Sequence, residues 1–243
     1  MPLWCTMVFL CLEWCWALMG LASLLLAAFC ALRPAEIERL DVRLKRLELG
    51  PWPDAIFGLI LPGLLALYKA AQFSAFHSMP DTANMLNVAW NTAHGDWMFA
   101  SSMGGRSYLS VHFAFIIALL SPLLRLWASP LALIMPQGAA VGLSGWAMYR
   151  GARSLRPGLP AWLAAALLIS SPLFHGTAIT FLDSVPFAPV LFLGACAFHE
   201  RGRNIAAGAC LAALLLTREQ APMTLFGVAA AFIAAGRNSR ARA

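Results

Sequence analysis

The sequence predicts an all-α membrane protein of about seven transmembrane helices plus one helix that re-enters or lies on the membrane. Three observations predict it. Only 12% of the 243 residues are charged and 60% are hydrophobic, whereas a soluble domain carries about a quarter charged residues. The apolar residues collect in eight runs separated by short polar breaks. The basic residues sit in clusters within those breaks rather than in one patch. So few charges cannot cover a water-facing surface, so lipid is the solvent for much of the chain. The net charge of +6 follows membrane topology and speaks against nucleic acid as a partner.

The runs are Leu3–Leu32, Ala55–Phe76, Val111–Trp127, Pro130–Tyr149, Leu159–Phe181, Val185–Phe198, Ile205–Thr217 and Ala221–Ala235. About 20 apolar residues cross a bilayer core. The first run has no preceding Lys or Arg, contains Glu13 and exceeds a signal h-region, so it reads as a retained helix. Glu36–Leu49 is charged, with leucines at 40, 44 and 47, and reads as an amphipathic helix on the cytoplasmic surface. Val111–Trp127 holds Pro122 and Arg125 and follows a polar loop, so it is the re-entrant or surface helix. The six cysteines all lie in apolar runs without a CxxC pair and read as small packing residues. Residues 1–53 are thus an N-terminal transmembrane helix with a cytoplasmic segment. Residues 54–243 form the main membrane domain, with an outer loop at 77–110.

Orientation follows from the loops. Arg33, Arg39, Arg43, Lys45 and Arg46 fall in one; Arg150, Arg153 and Arg156 in the next; Arg201 and Arg203 in a third; Arg237, Arg240 and Arg242 in the tail. These are 13 of the 17 basic residues. If Val111–Trp127 does not span, all four segments lie on the cytoplasmic side. The opposite face then gathers Asp81, Asp96, Asp183, Glu219, His77, His94 and His112, with His175 a turn or two below Asp183. Ile205–Thr217 has 13 residues, or ~20 Å of helix, too short to cross. Arg218 and Glu219 therefore sit at membrane depth, either at the base of a cavity or as an ion pair within one long span, and intramembrane charges are paired or functional.

The most informative stretch runs from Asp81 to Gly95. Asp81 is followed nine residues later by Trp90 and Asn91, then by His94 and Gly95. His112 and Phe113 precede Ser121 and Pro122, and Thr217-Arg218-Glu219-Gln220 closes the series. In order and spacing, from about Ala55 onward, these motifs resemble a family of uncharacterised prokaryotic multi-pass membrane proteins related to GT-C glycosyltransferases. The resemblance implies a GT-C-like fold in the bacterial inner (cytoplasmic) membrane, with its active face periplasmic or extracellular. It implies an inverting transferase that takes a sugar from a polyprenyl-phosphate-linked donor. Asp81 would be the general base or a ligand for a divalent cation, Mg or Mn. Arg218 would meet the lipid phosphate. Glu219 would orient Arg218 or bind the acceptor, His112 would line the cavity, and Asn87, Trp90 and Asp183 complete the candidate substrate-binding set. The lipid bilayer and the lipid-linked donor are the implied partners.

The chain departs from that pattern in places. Leu86 stands where a second acid is usual, Val111 where an acid often precedes the His-Phe pair, and Phe181-Leu182-Asp183-Ser184 where a His-Pro-acid element is expected. The chain is about half the length the resemblance implies, so a truncated gene or a degenerate catalytic apparatus is the accompanying expectation. A non-enzymatic transporter or lipid-binding membrane protein is the alternative function. Several residues also carry a structural alternative. Asp81 would cap a helix starting near Thr82, Trp90 and Trp97 would sit in an interfacial belt, His94-Gly95 would stop a helix, and Arg218–Glu219 would be a structural ion pair.

Overall fold

A computed structural model describes residues 51–75, 80–101, 104–110, 112–155, 159–171 and 182–223, with a few isolated positions besides. Nearly all of the run Leu3–Leu32 and of the segment Glu36–Leu49, most of Ala221–Ala235, and His77 and His175 lie outside them. The described chain is mostly helical. Helix α1 spans Trp52–Ser74, α2 Pro80–His94, α3 Phe115–Leu126, α4 Leu131–Leu155, α5 Leu159–Ile169, α6 Phe187–His199 and α7 Asn204–Leu215. Between α2 and α3 lies a hairpin of β1 (Phe99–Ala100) and β2 (Arg106–Ser107), antiparallel, with Phe99 opposite Ser107.

Among the described residues two helices are long and apolar enough to cross a membrane, α1 and Leu131–Ser154 of α4. The shorter apolar helices α3, α6 and α7 have 10–17 residues and fall short of the ~30 Å hydrocarbon core. α4 is the central element, its apolar window 61% buried against 33% for α1. α1, α5 and α6 all pack on it, and α7 packs on α6. One stripe of α1, Ile56, Leu59, Ile60, Leu64 and Leu67, is exposed among the described residues. These positions recur at three- and four-residue intervals, while Phe57, Leu65, Ala66 and Tyr68 turn inward.

The α1–α4 contact depends on two glycines. A Cβ at Gly138 would lie 2.6 Å from the Leu65 carbonyl oxygen, and one at Gly142 would lie 2.5 Å from the Pro62 Cα. A four-residue spacing of glycines lets two helix backbones touch, which is how membrane helices gain dispersion energy where lipid removes the hydrophobic drive. The helices run antiparallel, since Gly142 meets Pro62 while Gly138, earlier in α4, meets the later Leu65. Pro62 has no N–H for the preceding turn, and the chain answers with a π-helical turn at Ile56–Ile60. Beyond it, Phe57, Tyr149 and Trp162 lock α1, α4 and α5 together, with ring centroids 5.1–6.0 Å apart.

The hairpin is absent from the sequence reading. It forms because Gly104 and Gly105 take positive φ of 70° and 76°, which only glycine adopts without strain. α2 grips it with polar side chains. The Asn87 carboxamide oxygen accepts from the Ser101 N–H and hydroxyl at 3.1 and 2.8 Å. The Asn91 amide donates to the Phe99 carbonyl at 3.0 Å, and Thr92 accepts from the Met98 N–H at 3.0 Å. α2 ends at His94, whose Nδ1 meets the Trp90 carbonyl oxygen at 2.7 Å, followed by Gly95 at φ 111°. Arg125 of α3 donates from Nε to the Ala93 carbonyl oxygen and ties α3 to that end of α2. The buried residues of α2, the hairpin and α3 join Leu133, Leu182 and Phe187 in one core. The hairpin layer therefore caps the end of the bundle where α4 begins.

Candidate functional site

The site forms where this cap meets the turn before α6 and the segment after α7. Two long-range hydrogen bonds fix the geometry. The Leu182 N–H donates to the Thr82 hydroxyl at 3.3 Å, and the Ile116 N–H donates to the Leu216 carbonyl oxygen at 2.9 Å. The first holds Asp183 beneath the start of α2; the second brings Arg218 and Glu219 to the start of α3.

Asp183 lies deepest. Its side chain is 9% exposed. One carboxylate oxygen accepts from the Ser184 N–H at 2.6 Å and hydroxyl at 3.2 Å. The other accepts from Arg218 Nη1 at 3.2 Å. Arg218 is 26% exposed, and among the described residues its buried Nε has no hydrogen-bond partner. The guanidinium is thus held through one nitrogen and keeps donors for something else. Glu219 turns away from Arg218. It sits at 3.4 Å from His112 Nδ1 and accepts from the Phe113 N–H at 3.2 Å. Contacts to its own backbone, to Phe113 and to His112 hold its carboxyl below the usual range. The ion pair expected between Arg218 and Glu219 does not form, because the chain direction after α7 points the two side chains to different walls.

Tyr108, a residue that the motif reading passes over, stands at the centre. It opens a short 3₁₀ turn, Tyr108–Ser110, and its N–H donates to the Met98 carbonyl oxygen at 2.7 Å. Its ring lies 5.7 Å from that of His112, and it is 3% exposed. Burial first, then the charge of Asp183, and further Asp81 and Glu219, push its phenol up to about 12 against an opposing Arg218. Asp81, Asp183, Arg218 and Glu219 therefore all act on one phenol, which stays protonated at neutral pH. No spacing signal marks Tyr108; its placement depends on the hairpin.

Asp81 is exposed, in the first turn of α2. It is not the N-cap, because Pro80 takes the first helical position and favours it. A carboxylate there faces the positive end of the helix dipole. Asn87 and Trp90 are not part of this cluster. Nine residues at about 100° each place Trp90 on the opposite side of α2 from Asp81. Both line a separate groove of about 240 Å³ against Leu124, Ala128, Ser129 and Pro130, while Asn87 is spent on the hairpin. Trp90 is exposed and stacks on His94 at 4.2 Å. Among the described residues no three His, Cys, Asp or Glu side chains come together as metal ligands.

The family model of predicted membrane proteins called DUF2079 matches residues 81–243, about two thirds of the chain. The chain belongs to this family. No curated protein and no solved structure matches it. The family supports a membrane protein with lipid as its surroundings. Its match opens on Asp81, so α1 lies outside it, whereas the motif resemblance runs from about Ala55. Within the DUF2079 region fall Tyr108, His112, Asp183, Arg218 and Glu219, the residues the fold draws together.

Proposed function

We propose that this DUF2079 protein is a membrane-embedded, GT-C-type inverting glycosyltransferase, drawing a sugar from a polyprenyl-phosphate-linked donor on the outer face of the bacterial inner membrane. The observation that carries this reading is the Asp183–Arg218 pair. A guanidinium anchored to a carboxylate through one nitrogen and still 26% exposed is suited to a phosphate oxygen. The charges of Asp81 and Glu219, with that of Asp183, push the Tyr108 phenol up. Asp81 is exposed, as a base that meets an incoming acceptor must be.

In the proposed step the acceptor hydroxyl gives its proton to Asp81 while its oxygen attacks the anomeric carbon. The bond from that carbon to the donor phosphate oxygen breaks, and the lipid phosphate leaves with the electron pair. Arg218 neutralises the developing charge. The phenol of Tyr108, fixed as a proton donor, is the second candidate partner for that phosphate. Direct attack inverts the anomeric centre. Mg or Mn remains a candidate cofactor. Asp81 would supply one carboxylate to it, and Mg sites are commonly completed by water and substrate phosphates.

A lipid-binding reading without chemistry is favoured by one feature, an apolar groove of about 450 Å³ beside α3 and α4, lined by Ala66, Leu126, Trp127, Met135 and Pro136 among others. Transfer of labelled sugar from polyprenyl-phosphate donors in membranes separates the two. The transferase reading expects turnover in the wild type, a loss of about 10²–10⁴-fold in Asp81→Asn for want of a base, and a loss of about 10²–10³-fold in Arg218→Lys, whose ammonium lacks the paired donors. Binding of the labelled donor without turnover, across a range of acceptors and metals, would replace it with the lipid-binding one.

A further inference from the structure

A second charged site lies at the other end of the α1–α4 pair, and the transferase reading does not use it. Asp54, in the first turn of α1, accepts from the Trp146 indole Nε1 at 3.0 Å. It also accepts from Arg150 Nη1 at 3.0 Å on each of its oxygens and from Arg153 Nη1 at 3.5 Å. One carboxylate thus holds two guanidinium groups, leaving one positive charge in excess. The Arg150 guanidinium lies 5.6 Å from the Trp146 ring centroid, and that of Arg153 lies 5.9 Å from the Tyr149 ring. The Arg150 Nε is buried, with no hydrogen-bond partner among the described residues. Arg153 is 47% exposed. Beside these donors opens a groove of about 470 Å³, lined by Asp54, Gly58, Leu59, Leu143, Trp146 and Arg150. Gly58 lets the Trp146 indole pack close against α1, since a Cβ there would meet that ring at 3.1 Å.

We propose that this groove is a binding site for an anionic phospholipid, with its phosphate on Arg150 and Arg153 and an acyl chain along Gly58, Leu59 and Leu143. Charge complementarity selects the occupant. The site has an excess cation, spare guanidinium donors and an apolar wall that continues into the exposed Leu59 and Ile60 of α1. A zwitterionic lipid brings its own cation next to that excess charge, and free phosphate leaves the apolar wall unused. Basic pockets between membrane helices on the cytoplasmic side are suited to such headgroups, and Arg150 and Arg153, in the last turns of α4, belong to a basic cluster that the positive-inside rule places there.

The test uses the full chain purified in detergent and titrated with phosphatidylglycerol, phosphatidylcholine or inorganic phosphate, read by native mass spectrometry and by thermal shift. The proposal expects phosphatidylglycerol to bind and raise Tm, phosphatidylcholine to bind more weakly, and phosphate alone to do neither. Arg153→Gln weakens phosphatidylglycerol binding about fivefold, from ~1 kcal/mol per arginine at a membrane surface, and Arg153→Lys recovers part of it. Equal binding of the two lipids by the wild type would overturn the proposal, even if Arg153→Gln failed to fold. So would a Tm shift by inorganic phosphate equal to that by phosphatidylglycerol, which would make the site one for a free anion. Because sugar transfer is not read, the result is independent of the reading of the Asp183–Arg218 site.

Discussion

At the scale of the residue, the chemistry of the site rests on a few polar atoms placed where lipid and protein exclude water. Asp183 and Arg218 share a single hydrogen bond at 3.2 Å, and the remaining carboxylate oxygen is satisfied by Ser184. Removing one partner of such a pair leaves the other without its counter-charge. Asp183→Asn is therefore expected to lower stability by roughly 3 kcal/mol, measured by thermal or denaturant unfolding in detergent, and the Asp183→Asn/Arg218→Met double variant to recover part of the loss. Tyr108 gives a pH signature. In the unfolded chain the phenol ionises near its ordinary 10, and in the fold only near 12. Its contribution is thus complete below pH 10 and is lost as pH rises towards 12. Alkaline melting curves should fall through that window, and Tyr108→Phe should flatten the fall. An unchanged curve in Tyr108→Phe would mean that the phenol is not held in the buried, acidic setting described. With three tyrosines in the chain, tyrosinate absorbance can follow the same transition.

At the scale of the element, close backbone approach holds α1 to α4. Gly142→Ala places a methyl group against the Pro62 Cα, and neither backbone can yield without parting the helices. A loss of about 1–3 kcal/mol is expected from such overpacking. Gly63 is the control, on the same pair of helices but with nothing within 4 Å of a Cβ. Gly63→Ala should be neutral or stabilising by up to ~1 kcal/mol, because alanine gives up less backbone freedom than glycine in a helix. Comparable loss in both variants would mean that the close approach of Gly142 to Pro62 is not what costs stability. The hairpin follows a different logic. Three α2 side chains, Asn87, Asn91 and Thr92, satisfy its backbone. Asn87→Ala leaves the Ser101 N–H without its acceptor and is expected to loosen the loop that seats Tyr108. Faster amide exchange at Met98–Ser101 would report it.

At the scale of the whole molecule, the two charged sites occupy opposite ends of the antiparallel α1–α4 pair. The Asp183–Arg218 site lies under the cap near the start of α4, and the Asp54–Arg150 site lies near its finish. If α1 and α4 both cross the membrane, these ends face different compartments. Single cysteines at Ser101 and Arg201, in a background cleared of the six natural cysteines, should then react with an impermeant thiol reagent from opposite sides. The positive-inside distribution expects Ser101→Cys to react in intact cells and Arg201→Cys only after lysis. Reaction of both from one side would remove the through-membrane arrangement and, with it, the outer-face assignment of the transfer step.

Composition alone makes this a membrane protein, because so few charges over eight apolar runs leave lipid as the solvent. The sequence also marked the helices that composition controls. The run Pro130–Tyr149 became α4, Val185–Phe198 became α6 with ends shifted by a residue or two, and His94-Gly95 became the end of α2. Each depends on contacts within a few residues, which a linear pattern carries. The tertiary structure decided what depends on distant partners. Arg218 was legible as a charge at membrane depth, but its carboxylate turned out to be Asp183, 35 residues away, and not the adjacent Glu219. Asn87 and Trp90 shared a motif with Asp81 but fell on another face of α2, since helical rotation separates residues that sequence order joins. Tyr108 and the grip of Asp54 on Arg150 carry no local mark at all, and the four-residue spacing of Gly138 and Gly142 is visible in the sequence without naming α1 as the backbone they meet. A phenol is set among charges, a glycine against a backbone or a carboxylate between arginines only when the chain folds back on itself, and burial then fixes the strength of each interaction.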